Sequence, residues 1–402
     1  MKGRFTASPF GDLELTLAAM DELLDVSKML VDANLERYEQ FSTTDNRKVD
    51  PTRWKPVKSK EGACVYMQRE PEGSRRTSRS KSVTSDLQSL LCVGTTGGTI
   101  DDVMFGAVNP TLEAMRVKAS YVDDLSGAAV LSTIVEPTLD DPFRSSAVKW
   151  MELDLPLQSL GLAKPRDYVY VESTGIEYLS NGEQVGYHLM HSVEFPQTHD
   201  MPGRVRAKLS NCAFFRQIRR KTVGIYVMGM LDTMSDRNRG LVVSSMIKAF
   251  LSTLKYAHCG EMKKLALVLD DRYAELKANG PPNPERICVT CAKSLRPRRF
   301  GTFEKTRSTC KICFGFVCRT CKVTKKLHFV TPELLVTHRK VSFCASCLIT
   351  TMTASASDVA KVAIQSGNSD AVKLPQRSMW STWGTMLEAS ANTASYDFAN
   401  TR

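Results

Sequence analysis

The chain has 402 residues, 42% of them hydrophobic, enough for a sizeable core and for roughly two to three domains of about 150 residues each. Its net charge of +11 is concentrated: Glu285 to Lys340 holds 14 Lys and Arg against 3 Glu, so this segment carries the whole excess and points to an acidic partner. These figures exclude a wholly disordered chain. The apolar runs exclude a membrane-spanning helix of roughly 18 residues, and the opening MKGRFTASPFGDLELTL shows no secretory apolar run, so an intracellular, soluble protein is expected.

From Gly11 to about Tyr38, Leu13, Leu17, Met20 and Leu24 recur at steps of three and four, which predicts an amphipathic helix within an N-terminal segment 1–53. Short strands are expected over Gly62–Glu70, Ala128–Pro137, Ala147–Leu155 and Asp167–Gly175, each ended by Gly, Pro or Asp. Asn181-Gly182 reads as a two-residue hairpin turn, because both positions tolerate positive φ. Two further strands follow, NCAFFRQI and KTVGIYVMGMLD; Phe214, Phe215, Tyr226, Met228 and Met230 within them read as ordinary core. Val243, Ile247, Phe250, Leu254 and Ala257 then start one long helix that continues through Met262, Leu265 and Leu269. Residues 70–85 are basic and Ser-rich, and the tail 350–402 is rich in Ser, Thr, Ala and Asn; both read as flexible.

Helix, antiparallel sheet and closing helix form an α+β order. With PFRSSAVKW, RDYVYVESTG and VGYHLMHSVEFP, this order resembles the START-like domains that precede a FYVE-type finger in a large oomycete family. The resemblance spans about residues 54–271. It implies a helix-grip fold, in which a long C-terminal helix lies across a curved sheet and encloses a tunnel for a lipid or other hydrophobic ligand. It implies no catalytic residue.

Eight of the twelve cysteines form four C-x2-C pairs: Cys288/Cys291, Cys310/Cys313, Cys318/Cys321 and Cys344/Cys347. In a reducing compartment such spacing favours metal over disulfide, and four soft ligands suit tetrahedral zinc, so two closed Zn2+ sites are expected. Spacing alone admits either consecutive or interleaved sites. The order C-x2-C-x18-C-x2-C-x4-C-x2-C-x22-C-x2-C is similar to a FYVE-type finger over residues 285–349. That resemblance implies a cross-brace, the first and third pairs holding one zinc and the second and fourth the other. The finger is expected to have a core separate from residues 54–271.

The lipid-reading motif of FYVE fingers falls on Thr306, Arg307, Ser308, Thr309, Cys310 and Lys311, where only Arg307 and Lys311 keep the charge, and Ser342 stands where that family has another arginine. Charge without the recognition histidines suits adsorption on acidic phospholipid through Arg296, Arg298, Arg299, Arg307 and Lys311, with little choice among phosphoinositides. His328 and His338 read as surface residues. The sequence thus points to a non-enzymatic lipid-binding protein, cytoplasmic, with peripheral attachment to endosomal or other acidic membranes. The alternative is a protein-interaction or nucleic-acid-binding adaptor on a START-like scaffold, nucleic acid being the less expected partner. Neither a G-x-S-x-G elbow nor a P-loop is present, and the cysteine sites leave no open corner for water.

Overall fold

A computed structural model describes residues 8–69, 87–122, 127–153, 164–233, 239–279, 286–295, 308–331 and 334–365. Helix α1 (Leu17–Thr43) leads into strands β1 (Trp54–Lys60), β2 (Ala63–Gln68) and β3 (Leu87–Gly97). Helices α2 (Ile100–Ala107) and α3 (Leu112–Val122) separate these from β4 (Gly127–Val135), β5 (Ser145–Leu153), β6 (Arg166–Tyr178), β7 (Gln184–Ser192), the short β8 (Val205–Arg206), β9 (Leu209–Arg219) and β10 (Thr222–Asp232). The closing helix comes in two pieces, α4 (Arg239–Ser252) and α5 (Tyr256–Asn279), joined by a 3-10 turn over Thr253–Lys255. The cysteine-rich segment adds two small hairpins, β11 (Ser308–Thr309) with β12 (Phe316–Val317) and β13 (Val323–Val330) with β14 (Val336–Phe343), and then helices α6 (Ala345–Thr353) and α7 (Ala356–Gln365).

The main sheet runs β1-β2-β3-β10-β9-β7-β6-β5-β4 with antiparallel neighbours, and β8 pairs in parallel with β6 off that path. Alternation along each strand assigns two apolar faces. Tyr168, Tyr170, Phe215, Ile225 and Val227 face inward against Val242, Met246 and Phe250 of α4. Leu91, Val185, Phe214 and Tyr226 face outward against Val31, Tyr38 and Phe41 of α1, with the Tyr38 and Phe214 rings stacked 5.4 Å apart. Burying such a side chain contributes about 1.5–3 kcal/mol, so α1 is an integral outer layer of this domain and not a separate N-terminal segment. One antiparallel sheet gripped by the closing helices is a helix-grip arrangement, as expected, and a small two-tetrad cross-brace follows it.

Several local expectations change. Helix α1 starts at Leu17 because Thr16 caps it, its side chain accepting from the Ala19 N–H. Helices α2 and α3 were not foreseen, although Thr99 and Asp102 form a reciprocal capping box before α2. The hairpin after β6 is a longer loop: only Gly182 takes positive φ, +80°, while the Asn181 side chain accepts from the Glu183 N–H instead. Residues 350–353 and 356–365, expected within a flexible tail, are helical, and Ala356, Ala360 and Ala363 of α7 are buried in the inner core. The basic insertion 70–85 lies outside the described residues.

The largest correction concerns the expected separate cores. Met262, Leu265, Ala266 and Leu269 of α5 and Val117 of α3 pack with Cys288, Cys310, Ile312, Val317, Leu327, Phe329 and Phe343 in one apolar cluster. The apolar stripe that periodicity assigned to the sheet therefore turns, beyond the 3-10 turn, toward the finger. Crossing of α2 and α5 fixes where that turn falls: a Cβ on Gly106 would lie 1.9 Å from the Tyr256 carbonyl oxygen, and one on Gly260 would lie 2.0 Å from that of Asp102. Only glycine permits this backbone approach.

Candidate metal centres and interior site

The finger's four knuckles bring their thiols into two clusters, Cys288/Cys291/Cys318/Cys321 and Cys310/Cys313/Cys344/Cys347, each with all Sγ atoms within 4.8 Å of one another. The first and third pairs, and the second and fourth, thus meet in a cross-brace. Sγ of Cys291 lies 3.8 Å from that of Cys318, and Sγ of Cys313 lies 3.9 Å from that of Cys344. A tetrahedron of sulfurs about 2.3 Å from a central ion has edges of about 3.8 Å, so the donor set fits a metal. Backbone amides help hold the sulfur charge: Cys318 N–H donates to Cys288 Sγ at 3.3 Å, and Cys347 N–H to Cys344 Sγ at 3.4 Å. At Cys310 a hydrogen bond from the Cys313 thiol, with further amide donors, draws the thiol well below its usual range despite burial. The other four cysteines join neither tetrad: Cys92, Cys212 and Cys259 are buried and Cys64 is half-buried, with burial raising Cys92 to about 12.

Of the residues expected to meet a membrane, only Lys311 falls among the described residues. Arg296, Arg298, Arg299 and Arg307 lie outside the described residues. Lys311 is half-buried, its Nζ donating to Thr309 Oγ1 at 3.1 Å and its N–H to the Ser342 carbonyl at 3.0 Å; burial lowers its pKa. Three of the positions that depart from the FYVE motif, Ser308, Thr309 and Ser342, are therefore neighbours in space. Among its described residues, 286–295, 308–331 and 334–349, the finger has nine Lys and Arg and no Asp or Glu. Lys326 and Lys340 face each other across β13 and β14, a like-charge pairing that costs stability.

His328 is not a surface residue. Its ring stacks on Tyr121 of α3 at 4.3 Å, its Nδ1 lies 2.8 Å from Ser120 Oγ, and its N–H donates to Tyr121 Oη at 2.8 Å. Burial, together with the charges of Lys326, His338 and His258, pushes its pKa down to about 4. Arg116 of α3 donates to the Leu334 carbonyl in the hairpin loop. His338 is exposed.

Inside the helix-grip domain, a cavity of about 60 Å³ lies between the sheet and the α4–α5 junction. Met151, Leu209, Val227, Met246, Phe250 and Tyr256 supply much of its wall, with His188 and Asn211 as polar contributors. The long hydrophobic cavity that the fold resemblance implies is thus shrunken: a drug-sized ligand site needs about 300–1,000 Å³. Phe214, Phe215, Tyr226, Met228 and Met230 do not line it; the three aromatic residues are buried core as expected and Met228 packs against that core, but Met230 is 42% exposed and is not core.

Behind His188 sits a buried polar cluster that sequence reasoning missed. Glu172 on β6 meets Lys149 on β5, lies 3.8 Å from Lys118 Nζ of α3 and accepts from His188 Nε2 at 2.7 Å. Lys149 also donates to the carbonyl and side-chain oxygens of Asn109, at 2.7 and 2.6 Å. Burial opposes the charge on Glu172, but Lys149 and Lys118 outweigh it and hold the carboxylate well below its usual range. Burial lowers Lys149, yet three acceptors match the three protons of an ammonium, so the pair is charged at neutral pH. His188 is lowered by burial and stays neutral, donating from Nε2 and leaving Nδ1, 3.4 Å from Tyr256 Oη, to accept. The strand pattern gave no warning, since Lys149, Glu172 and His188 each occupy an inward position of an otherwise ordinary strand.

No known family's sequence pattern matches the chain, and no curated protein matches it in sequence. Among solved structures it is similar to human StAR-related lipid transfer protein 5, at 16% identity and a TM-score of 0.40, over 58% of this chain and 97% of that one. It is also similar to a STAR-related lipid transfer protein fragment from Xanthomonas axonopodis, at 18% identity and a TM-score of 0.35, over 52% of this chain and 98% of that one.

Proposed function

We propose that the chain is a non-enzymatic lipid-binding or lipid-sensing protein whose FYVE-related finger binds two zinc ions and attaches it to acidic membrane or to a protein partner, in the manner of oomycete START-like proteins. The observation that carries the lipid reading is the apolar cavity ending on His188 and Tyr256. Apolar walls accept an acyl chain or ring system, and the buried Glu172 cluster behind them offers hydrogen bonds to one polar head. Entry of a lipid requires the α4–α5 junction to move away from the sheet, because about 60 Å³ admits no more than a few water-sized groups. Zinc suits an all-thiolate, four-coordinate donor set in a closed structural site.

For the membrane, the support is charge. Eight thiolates and two zinc ions contribute −8 and +4, so Glu285 to Cys347 falls from +11 to about +7 on metal binding. Each Lys or Arg near an anionic surface contributes roughly 1 kcal/mol, enough for weak adsorption in the cytoplasm or on endosomes. The small cavity favours a second reading, a protein-interaction adaptor on a closed scaffold. Mass spectrometry of lipid extracted from protein purified from its own cells separates the two. A co-purifying lipid is expected, and its absence both from metal-loaded protein and from protein whose tetrads have been emptied gives the adaptor reading. Binding to liposomes should follow total negative charge and weaken with salt; preference for one phosphoinositide isomer at physiological salt would contradict this part.

A further inference from the structure

We infer that the finger regulates the interior site: metal in the tetrads docks the finger on α3 and α5, and that docking keeps the cavity of the helix-grip domain closed. The inference rests on the lipid-binding reading for what enters the cavity, and on geometry alone for the coupling.

Helix α3 touches both sites within five residues. Val117, Ser120 and Tyr121 face the finger, through the shared apolar cluster and the two His328 hydrogen bonds. Lys118, 6% exposed, points the other way, 3.8 Å from Glu172 and 4.7 Å from the centre of the Tyr256 ring. Tyr256 lines the cavity and Glu172 holds His188, which lines it too. Helix α5 repeats the arrangement, with Tyr256 at the cavity and Met262, Leu265 and Leu269 in the finger's core.

A third connection starts at a tetrad. Cys344 is the N-cap of α6, and the other end of α6 rests on Lys264 of α5, whose Nζ donates to the Met352 and Ala354 carbonyls at 3.1 and 2.9 Å. Lys264 also pairs with Asp102 of α2 at 2.7 Å. Metal loss would remove the fold of the finger, and with it the cover over Val117 and Leu265, the partners of His328 and the carbonyls that hold Lys264. The same helices then lose their register against Glu172, His188 and the sheet. Because ligand and metal bias one pair of helices, each must change the affinity for the other by the same factor.

Hydrogen exchange on the full chain tests this, with metal content measured in parallel. The amides to follow are 186–190 and 250–256, which border the cavity and lie outside the shared cluster. Chelation that empties the tetrads should speed exchange there by about tenfold and raise uptake of a fluorescent C12 fatty acid severalfold. His328→Ala, which spares the ligand cysteines, should move both readouts in the same direction by less. Unchanged exchange at 186–190 and 250–256 in emptied protein would overturn the coupling, and wild-type exchange in metal-loaded His328→Ala would overturn the route through α3. Faster exchange without fatty-acid uptake in any state would leave the coupling standing and remove the lipid reading.

Discussion

The helix-grip region and the finger reach stability by opposite means. In the first, a sheet of long strands buries apolar side chains on both faces, with Trp150, Phe214 and Phe215 almost completely enclosed. The second has two hairpins, one with strands of only two residues, around eight thiols. A segment that small cannot fold on its own apolar area, and metal binding of order 10 kcal/mol per site would supply most of its folding free energy. What joins them is that the finger's apolar side chains have their complement on α3 and α5. A metal-dependent module has thereby become part of the wall of an area-dependent one.

Four perturbations sharpen or break this comparison, taken from the largest effect to the smallest. Cys310→Ser removes one ligand and should lower the thermal midpoint of the whole chain by more than 10 °C, since Val117, Met262 and Leu265 lose their cover along with the finger. A melt in which only the finger's signal disappears would restore separate cores. Glu172→Gln should cost about 3–5 kcal/mol in urea unfolding, because it leaves the ammonium of Lys149 buried without its counter-charge. This perturbation belongs to the helix-grip side, so tetrad metal content should stay at two per chain at saturation.

Leu265→Ala lies on the boundary and should cost about 2–5 kcal/mol, the usual range for a buried leucine. If finger and helix-grip domain merely touch, the cost falls to the few tenths typical of a surface site. The smallest effect is electrostatic. His328 has its folded pKa depressed from 6.5 to about 4, so the docked state binds fewer protons than the undocked one. Docking should be fully present above pH 6.5 and weaken as pH falls from 6.5 toward 4, whereas His328→Ala should lose this pH dependence along with about 1 kcal/mol. Exchange rates at Ser120 and Tyr121 across that pH range check both.

Much of this architecture was legible in the residues, and the parts that were not share a cause. The strands over β2, β4, β5 and β6, and the four cysteine pairs, announce themselves through local patterns: alternation, and ligand spacing along a knuckle. Leu265 and Leu269 also show a correct local pattern, but periodicity tells only that a helix has an apolar stripe and never which partner covers it. The same holds for His328, whose partner Tyr121 lies 207 residues away. Lys149, Glu172 and His188 are individually unremarkable and become a cluster only when β5, β6, β7 and α3 converge. Helix α2 was legible through the Thr99/Asp102 box, a signal that an expectation of continuous sheet had no place for.

The central claim is that the two regions unfold together because they share a core. Differential scanning calorimetry of the full chain, metal-loaded and again after chelation, addresses it most directly. The structure predicts one cooperative transition in the loaded protein, shifted to lower temperature as a whole when the metal is removed. Two transitions in the loaded protein, of which chelation abolishes the smaller and leaves the larger at its original temperature, would contradict it.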